Sequence, residues 1–211
     1  MVTISPHIGK VSVLTLSPES PSAVLVLAHG AGAGMDHPFM SSLAEELRDL
    51  KIATLRYNFP FSENKKKRPD VPAVAEKTVH EIIVHAHEVF PKVPLFAGGK
   101  SFGGRMTSQL LSKNEMSFVK GLVFFGFPLH APGKPSMDRG SHLKDVKVPM
   151  LFLQGTRDAL AEWSLIEKVT SGLPKATLQK IDGGDHGFRQ GKSYRTKELA
   201  AAAASWMGDR R

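Results

Sequence analysis

Apolar runs of strand length alternate with amphipathic segments of helix length along nearly the whole chain. The run Ala23–Ala28 contains no polar residue, which is typical of a central parallel strand covered on both faces. In the segment 38–50 that follows, large apolar residues recur every three or four positions, as in an amphipathic helix. This alternation predicts an α/β fold: a doubly wound, mostly parallel sheet with helices on both faces.

Proline, glycine and polar residues separate the predicted elements. We predict two strands joined by a turn within residues 2–16, and further strands over 23–28, 52–57, 93–97, 120–126, 148–153 and 176–181. Helices are predicted over 38–50, 72–90, 103–112, 161–171 and 193–207. Asp70 is expected to cap the second helix and Pro91 to end it. Because no linker divides the chain, residues 1–211 are predicted to form one domain, with the irregular stretches Phe59–Pro69 and Pro128–Val146 as pocket walls.

Composition excludes several classes of protein. Apolar residues make up 41% of the chain and charged residues 23%, as in an ordinary soluble domain. No apolar run is long enough to cross a bilayer and no signal-peptide pattern is present, so we expect no membrane partner and take a cytoplasmic location as the default. The absence of cysteine excludes disulfides, thiolate metal sites and a cysteine nucleophile.

The net charge is +8, and the run Lys65–Arg68 concentrates part of it in one predicted loop. Such a run is compatible with nucleic-acid binding or with an anionic substrate. No aromatic residues interleave it and no nucleic-acid-binding motif accompanies it. We therefore expect a solvated loop and no nucleic-acid partner.

One glycine-rich segment carries the strongest chemical signal. Residues 99–103 read Gly-Lys-Ser-Phe-Gly, which fits G-x-S-x-G between a predicted strand and a predicted helix. A serine on so sharp a turn has a strained backbone, and side chains two residues away on either side would collide with neighbouring elements. Ser101 is therefore a candidate nucleophile, held in front of the N-terminus of a helix.

A serine nucleophile needs a base, and histidine is the usual one near neutral pH. His130, His142 and His186 follow Ser101 in the chain. We favour His186 because it follows the last predicted strand of the sheet, at the carboxyl edge where Ser101 lies, and because glycines surround it.

The third group must orient the imidazole and stabilise its charged form. Asp158 follows the predicted strand 148–153, again at the carboxyl edge, and respects the chain order Ser, Asp, His. Asp182 and Asp185 are rivals that share a loop with His186, whereas Asp145 precedes a strand and lies at the wrong edge.

Acyl transfer also requires donors for a developing oxyanion. The backbone N–H of Phe102, directly after the serine, is one candidate. The glycine-rich segment 29–34 follows an earlier strand and offers a second, for which we select Ala31, with Gly30 or Gly32 as neighbours. A phosphate-binding loop is the alternative, but neither the P-loop nor the G-x-G-x-x-G pattern fits, and His29 is expected to pack beneath the loop.

The remaining polar candidates give weaker signals. His80, His85 and His87 share one helix, but their spacing favours solvent exposure over a metal site, so no metal and no cofactor are predicted. Lys100 and Arg105 are unusual neighbours for a nucleophile. Either an anionic substrate or pairing with carboxylates of the surrounding loops would explain their presence there.

The motifs taken together resemble the α/β-hydrolase superfamily over nearly the full length. They are the G-x-S-x-G segment, the His29-Gly30 loop, the Gly-Thr-Arg-Asp ending at Asp158, and Asp185-His186. No insertion in the chain is long enough to form a cap domain over Ser101, and in this the chain resembles dienelactone-hydrolase-like members. More narrowly, segments 57–61, 98–105, 126–130 and 155–158 resemble a group of uncharacterised bacterial predicted hydrolases that shares a domain with a histone-acetyltransferase complex subunit and a testis-expressed protein. The resemblance implies Ser101, Asp158 and His186 as a triad.

From the sequence we expect a serine hydrolase that acts on a small ester or thioester through an acyl-enzyme. Its only expected partner is the small acyl substrate. The alternative is a binding or scaffold protein that keeps the fold without turnover, as membership of a complex would imply. Transfer of the acyl group to an acceptor other than water also remains open.

Overall fold

The computed structural model describes residues 1–210 and is built from short strands and longer helices in alternation. The strands are β1 (Val2–Ser5), β2 (Gly9–Val11), β3 (Val13–Leu16), β4 (Ala23–Ala28), β5 (Ile52–Tyr57), β6 (Leu95–Lys100), β7 (Val119–Phe125), β8 (Met150–Gly155), β9 (Ala176–Ile181), β10 (Arg189–Gln190) and β11 (Ser193–Tyr194). The helices are α1 (Pro38–Asp49), α2 (Pro60–Glu63), α3 (Pro72–Val89), α4 (Phe102–Lys113), α5 (Trp163–Ser171) and α6 (Thr196–Gly208), with a 3₁₀ helix over Asp138–Asp145.

Within residues 1–210, seven strands form the central sheet in the order β3-β5-β4-β6-β7-β8-β9. All neighbours from β5 to β9 pair in parallel, and β3 pairs antiparallel with β5 at the edge. This confirms the predicted mostly parallel sheet. As a result, the chain leaves every parallel strand toward the same edge, where loops from different strands meet.

Helices cover both faces of the sheet, as predicted. Helices α1 and α6 pack together on one face, and α3, α4 and α5 contribute to the core on the other. The large apolar residues of α1 that predicted an amphipathic helix are buried against the sheet. No helix within residues 1–210 is long and apolar enough to cross a membrane.

The N-terminal segment differs from the prediction of two strands. It forms three, because β1 and β2 make a separate hairpin and β3 alone joins the central sheet. The break falls at Ser12, whose backbone N–H and hydroxyl both donate to the carboxylate of Glu63 (3.0 and 2.8 Å). The Glu63 side chain thus accepts the backbone N–H of Ser12, which in a continuous strand would be donated to a neighbouring strand.

The expected cap of α3 is also wrong. Val71 occupies the N-cap position, and Pro72 is the first helical residue, whose missing N–H needs no partner. Asp70 instead accepts a hydrogen bond from the backbone N–H of Phe61 (2.9 Å). The stretch predicted to be irregular, Phe59–Pro69, contains α2, and the β10–β11 hairpin was not predicted.

The turn from β6 into α4 brings three elements into very close contact. Strand β6 continues through both of its glycines to Lys100, three residues beyond the predicted end at Ala97. A Cβ on Gly99 would lie 2.2 Å from the carbonyl oxygen of Ala28, and one on Gly103 would lie 2.6 Å from the Ala28 side chain. The predicted steric need for glycine on both sides of Ser101 is thus present.

We expect Gly99→Ala to destabilise the fold by about 2–3 kcal/mol, because the new methyl group overlaps β4 and the backbone φ of +153° is strained for alanine. Urea unfolding measures the change. Gly172→Ala is the matched control, since its new Cβ would meet only atoms at 3.6 Å or more. Equal stability of the two variants would contradict the prediction.

Candidate active site

Ser101 lies at the junction of β6 and α4, in the conformation that the motif predicts. Its φ of 51° and ψ of −117° are unusual for a residue with a side chain. It is the N-cap residue of α4, yet its hydroxyl makes no capping bond to the helix. The hydroxyl is therefore directed away from the helix and is free to meet another group.

That group is His186, which lies in the loop between β9 and β10. The Nε2 atom of His186 is 2.8 Å from Ser101 Oγ, and its Nδ1 is 2.8 Å from Asp158 Oδ2. Ser101 and His186 are 85 residues apart in the chain, and Asp158 and His186 are 28 apart. Each follows a different strand of the parallel sheet, and their common edge brings all three together.

The carboxylate of Asp158 is held from two sides. Its side chain is fully buried and accepts hydrogen bonds from Gln154 Nε2 and from the backbone N–H of Leu160, both at 2.7 Å. The amide oxygen of Gln154 accepts the N–H of Phe127, which fixes the orientation of the amide. Gln154 was missed by sequence reasoning, although a glutamine at the end of the apolar strand β8 was a usable signal.

The rival histidines have other partners. His130 is nearly buried, with Nδ1 on the carbonyl of Ala131 and Nε2 accepting from the N–H of Glu162. His142 lies 2.8 Å from the hydroxyl of Ser108, away from Ser101. Neither reaches the nucleophile candidate.

The rival carboxylates brace their own loop. Asp185 accepts the backbone N–H of Arg189, and Asp182 is an exposed partner of Lys180. Asp158 is the carboxylate that contacts the imidazole of His186.

The glycine-rich loop after β4 is anchored from below by His29, as predicted. The buried ring donates from Nδ1 to the carbonyl of Gly30 (2.8 Å) and accepts at Nε2 from the N–H of Phe59 (3.1 Å). Burial lowers the pKa of His29 to about 4, so the ring is neutral at physiological pH. The loop above it is thus held next to Ser101.

The two expected oxyanion donors border this region. Ala31 lines the same cavity as Ser101, and Phe102 is the first residue of α4, where a backbone N–H has no partner inside the helix. Their assignment as oxyanion donors stays a prediction.

Ser101 and His186 open onto a cavity of about 370 Å³. Apolar side chains from α1, from the loop after β8 and from β11 form much of its wall, together with the glycine-rich loop; they are Phe39, Met40, Leu160 and Tyr194. The expected walls Phe59–Pro69 and Pro128–Val146 do not line it, although part of Phe59–Pro69 lines an adjoining cavity. The wall comes instead from residues that follow β4, β6, β8 and β9, from α1 and from the β10–β11 hairpin.

A sequence model described as an alpha/beta hydrolase domain matches residues 21–207 of this chain. The chain belongs to the alpha/beta hydrolase domain family. This establishes the family that the motifs resembled, while the narrower group of predicted hydrolases remains an expectation.

Solved structures share the hydrolase fold at low sequence identity. A structure of an alpha-beta serine hydrolase homologue from Coxiella burnetii has a TM-score of 0.79 at 18% identity, covering 98% of this chain and 96% of that one. Dienelactone hydrolase from Anabaena variabilis gives 0.76 at 19%, covering 99% and 96%. A serine hydrolase from Xanthomonas campestris, described as without lid, gives 0.77 at 18%, covering 99% and 93%.

The electrostatics of this candidate site favour a neutral imidazole. Burial lowers the pKa of His186, the hydrogen bond to Asp158 opposes that effect, and the positive charge of Lys100 adds to it. A neutral ring donates from Nδ1–H to the carboxylate and accepts the serine proton at Nε2. This is the protonation state that a general base requires.

Lys100 is the unexpected member of the site. Its ammonium is buried and has no hydrogen-bond partner among residues 1–210, and it lies 5.3 Å from the ring centre of Phe188. A Cβ placed on Gly126 would be 3.1 Å from Lys100 Nζ and 3.5 Å from Asp158 Oδ2, so both groups border the same small space. Burial lowers the pKa of Lys100 to about 8, against the attraction of Asp158 and Asp185.

We expect Lys100→Met to raise the pKa of His186, because it removes a positive charge that repels the imidazolium below about pH 8. An NMR titration of the imidazole resonances measures this directly and needs no substrate. Lys65→Met removes the same charge from an exposed loop and is expected to leave the titration unchanged. An unchanged pKa in a folded Lys100→Met variant would contradict the prediction.

Proposed function

We propose that this chain is a serine hydrolase that cleaves a small ester or thioester through an acyl-enzyme. The observation that carries the proposal is the continuous hydrogen-bond chain from the Ser101 hydroxyl through His186 to the Asp158 carboxylate. The strained backbone of Ser101, in front of the helix α4, supports the same role.

In the proposed reaction Ser101 Oγ attacks the acyl carbonyl carbon while His186 Nε2 takes the hydroxyl proton. Asp158 stabilises the resulting imidazolium through its bond to Nδ1–H. The N–H groups of Phe102 and Ala31 donate to the oxyanion of the tetrahedral intermediate. Collapse of the intermediate breaks the bond to the leaving group, which receives the proton from His186. Water then attacks the acyl-enzyme with His186 as base, releasing the carboxylic acid and restoring Ser101.

The expected substrate is small. The cavity next to Ser101 has a volume of about 370 Å³, near the lower end for small-molecule sites. Its apolar wall suits a short acyl or leaving group. A panel of p-nitrophenyl esters of increasing acyl length measures this limit, and we expect kcat/KM to fall once the chain exceeds the cavity.

The alternative is a scaffold protein that keeps the fold without turnover, as the resemblance to a complex subunit suggests. A scaffold has no need of a serine, a histidine and an aspartate in hydrogen-bonded sequence, so the geometry favours the enzyme. Acyl transfer to a second acceptor is separable from hydrolysis, because added alcohols or amines would then divert the product from the free acid.

We expect a fluorophosphonate probe to label the wild-type protein and not Ser101→Ala, which should also lose about 10⁴-fold or more in ester hydrolysis. Ser108→Ala is the matched control, because Ser108 also lies 2.8 Å from a histidine but borders no described wall of the cavity at Ser101. It should keep both labelling and activity. Absence of labelling in folded wild-type protein would favour the scaffold alternative.

The acidic limb of the kcat/KM profile should lie below the ordinary range of histidine. The reaction needs neutral His186, whose pKa is lowered, so activity is retained as the pH falls until that lowered value is reached. A pH series with a neutral p-nitrophenyl ester measures the limb. A limb above pH 6.5 would contradict this assignment.

A further inference from the structure

A second cavity, of about 490 Å³, adjoins the one at Ser101. The two share part of one wall, formed by the glycine-rich loop and by His37; the shared residues are Ala31, Gly32, Ala33 and His37. The far side of the second cavity is lined by Lys65, Lys66 and Lys67. A molecule that reaches Ser101 across the glycine-rich loop would therefore pass close to the loop that carries Lys65–Lys67, which we call the basic loop.

The charges around these cavities have one sign. Among residues 1–210, no aspartate or glutamate lines either cavity, whereas Lys100 and Arg189 line the first and Lys65–Lys67 line the second. None of these five basic residues forms an ion pair with another described residue. Asp70 interacts with Lys66 at the end of this loop: burial raises the pKa of Asp70, and the N–H of Phe61 and the charge of Lys66 oppose that rise. The combined field attracts anions to the mouth of the site.

The basic loop is held in place by the backbone. The N–H of Lys66 donates to the carbonyl of Phe61 (2.7 Å), and the N–H of Lys65 donates to that of Ser62 (3.0 Å). At the other end of the loop, Asp70 is bonded to the N–H of Phe61. The lysines therefore start from a fixed main chain at the cavity rim, which lowers the entropy lost when they bind a ligand.

We propose that the natural substrate is an acyl compound bearing an anionic group, a carboxylate or a phosphate, which Lys65–Lys67 and Arg189 bind away from the scissile carbonyl. This inference rests on the proposed hydrolase function and names its substrate class. A single-stranded nucleic acid is less consistent with this surface, because the large hydrophobic side chains exposed within residues 1–210 include no aromatic ring for base stacking.

Two matched pairs of probes test the proposal and distinguish the position of the anion. The half-ester of glutaric acid with p-nitrophenol carries a carboxylate on the acyl side, and p-nitrophenyl pentanoate is its neutral counterpart. Butyryl-coenzyme A carries phosphates on the leaving-group side, and the butyryl thioester of N-acetylcysteamine is its neutral counterpart. The spontaneous hydrolysis of each probe is subtracted.

We expect the triple variant Lys65→Gln, Lys66→Gln, Lys67→Gln to raise KM for at least one anionic probe by about tenfold, as loss of several exposed charge contacts implies. Its kcat/KM for the neutral probes should change less than about twofold, since the lysines touch no reacting atom. Arg189→Gln is expected to act in the same direction. Added salt should weaken the wild-type preference for the anionic probe.

The control variant is Lys92→Gln, Lys120→Gln, Lys147→Gln. These exposed lysines lie at or before the starts of β6, β7 and β8, at the opposite edge of the sheet, and their loss lowers the net charge by the same amount. We expect wild-type KM values from it. An equal effect of both triple variants would assign the preference to net charge and overturn the proposed site.

The outcomes separate this proposal from the proposed function. If neutral esters are hydrolysed and the Lys65–Lys67 triple variant keeps the wild-type preference for anionic probes, the anion site is overturned. The proposed hydrolase function is unaffected by that result. If no ester is hydrolysed, the site is still testable by binding. NMR then measures the affinity of the glutarate half-ester for Ser101→Ala and for Ser101→Ala that also carries the three lysine substitutions. Equal affinities of these two variants would overturn the anion site.

Discussion

The close approach of β4, β6 and α4 is the constraint on which the site depends. Hydrogen bonding places the strands side by side, but only glycine at positions 99 and 103 allows the helix to start so near the sheet. The chain must then turn sharply from β6 into α4 at one residue, and Ser101 makes that turn with a positive φ. The reversal leaves the hydroxyl free of the helix and exposes it at the sheet edge, where loops from β8 and β9 also arrive.

The second requirement is a buried carboxylate whose two oxygens are both hydrogen-bonded. Asp158 accepts from Gln154 Nε2, from the backbone N–H of Leu160 and from the imidazole of His186, and these contacts offset the cost of burying it. Gln154 belongs to the strand β8 and Leu160 to the loop beyond it, so strand and loop fix the acid together. The nearby ammonium of Lys100 attracts the carboxylate of Asp158 and repels a protonated His186. The protonation of Lys100 and that of His186 are therefore linked.

The sequence predicted a mostly parallel sheet with helices on both faces, and it predicted the three residues that meet at the edge of that sheet. It did so because strand burial, helical periodicity and the steric need for glycine at a sharp turn are local properties. What it missed depends on contacts between distant residues. The bond from Ser12 to Glu63 spans 51 residues and turns one expected strand into two. Aspartate is a common N-cap residue, but Asp70 accepts a hydrogen bond from the backbone N–H of Phe61 and does not cap α3. The buried ammonium of Lys100 lies 5.3 Å from the ring centre of Phe188, a residue far along the chain, and no pattern around position 100 reveals that proximity.

Glu63 connects the rim of the site to the start of the chain. Its carboxylate receives Ser12 and the amide of Asn58, while the basic loop begins two residues after it. Ser12 lies before the matched segment 21–207, in the part of the chain that carries none of the reacting groups. A change in this leading segment that removed Ser12 would therefore alter how Glu63 and the lysines that follow it are held. Ligand preference would then depend on a segment that lines neither cavity.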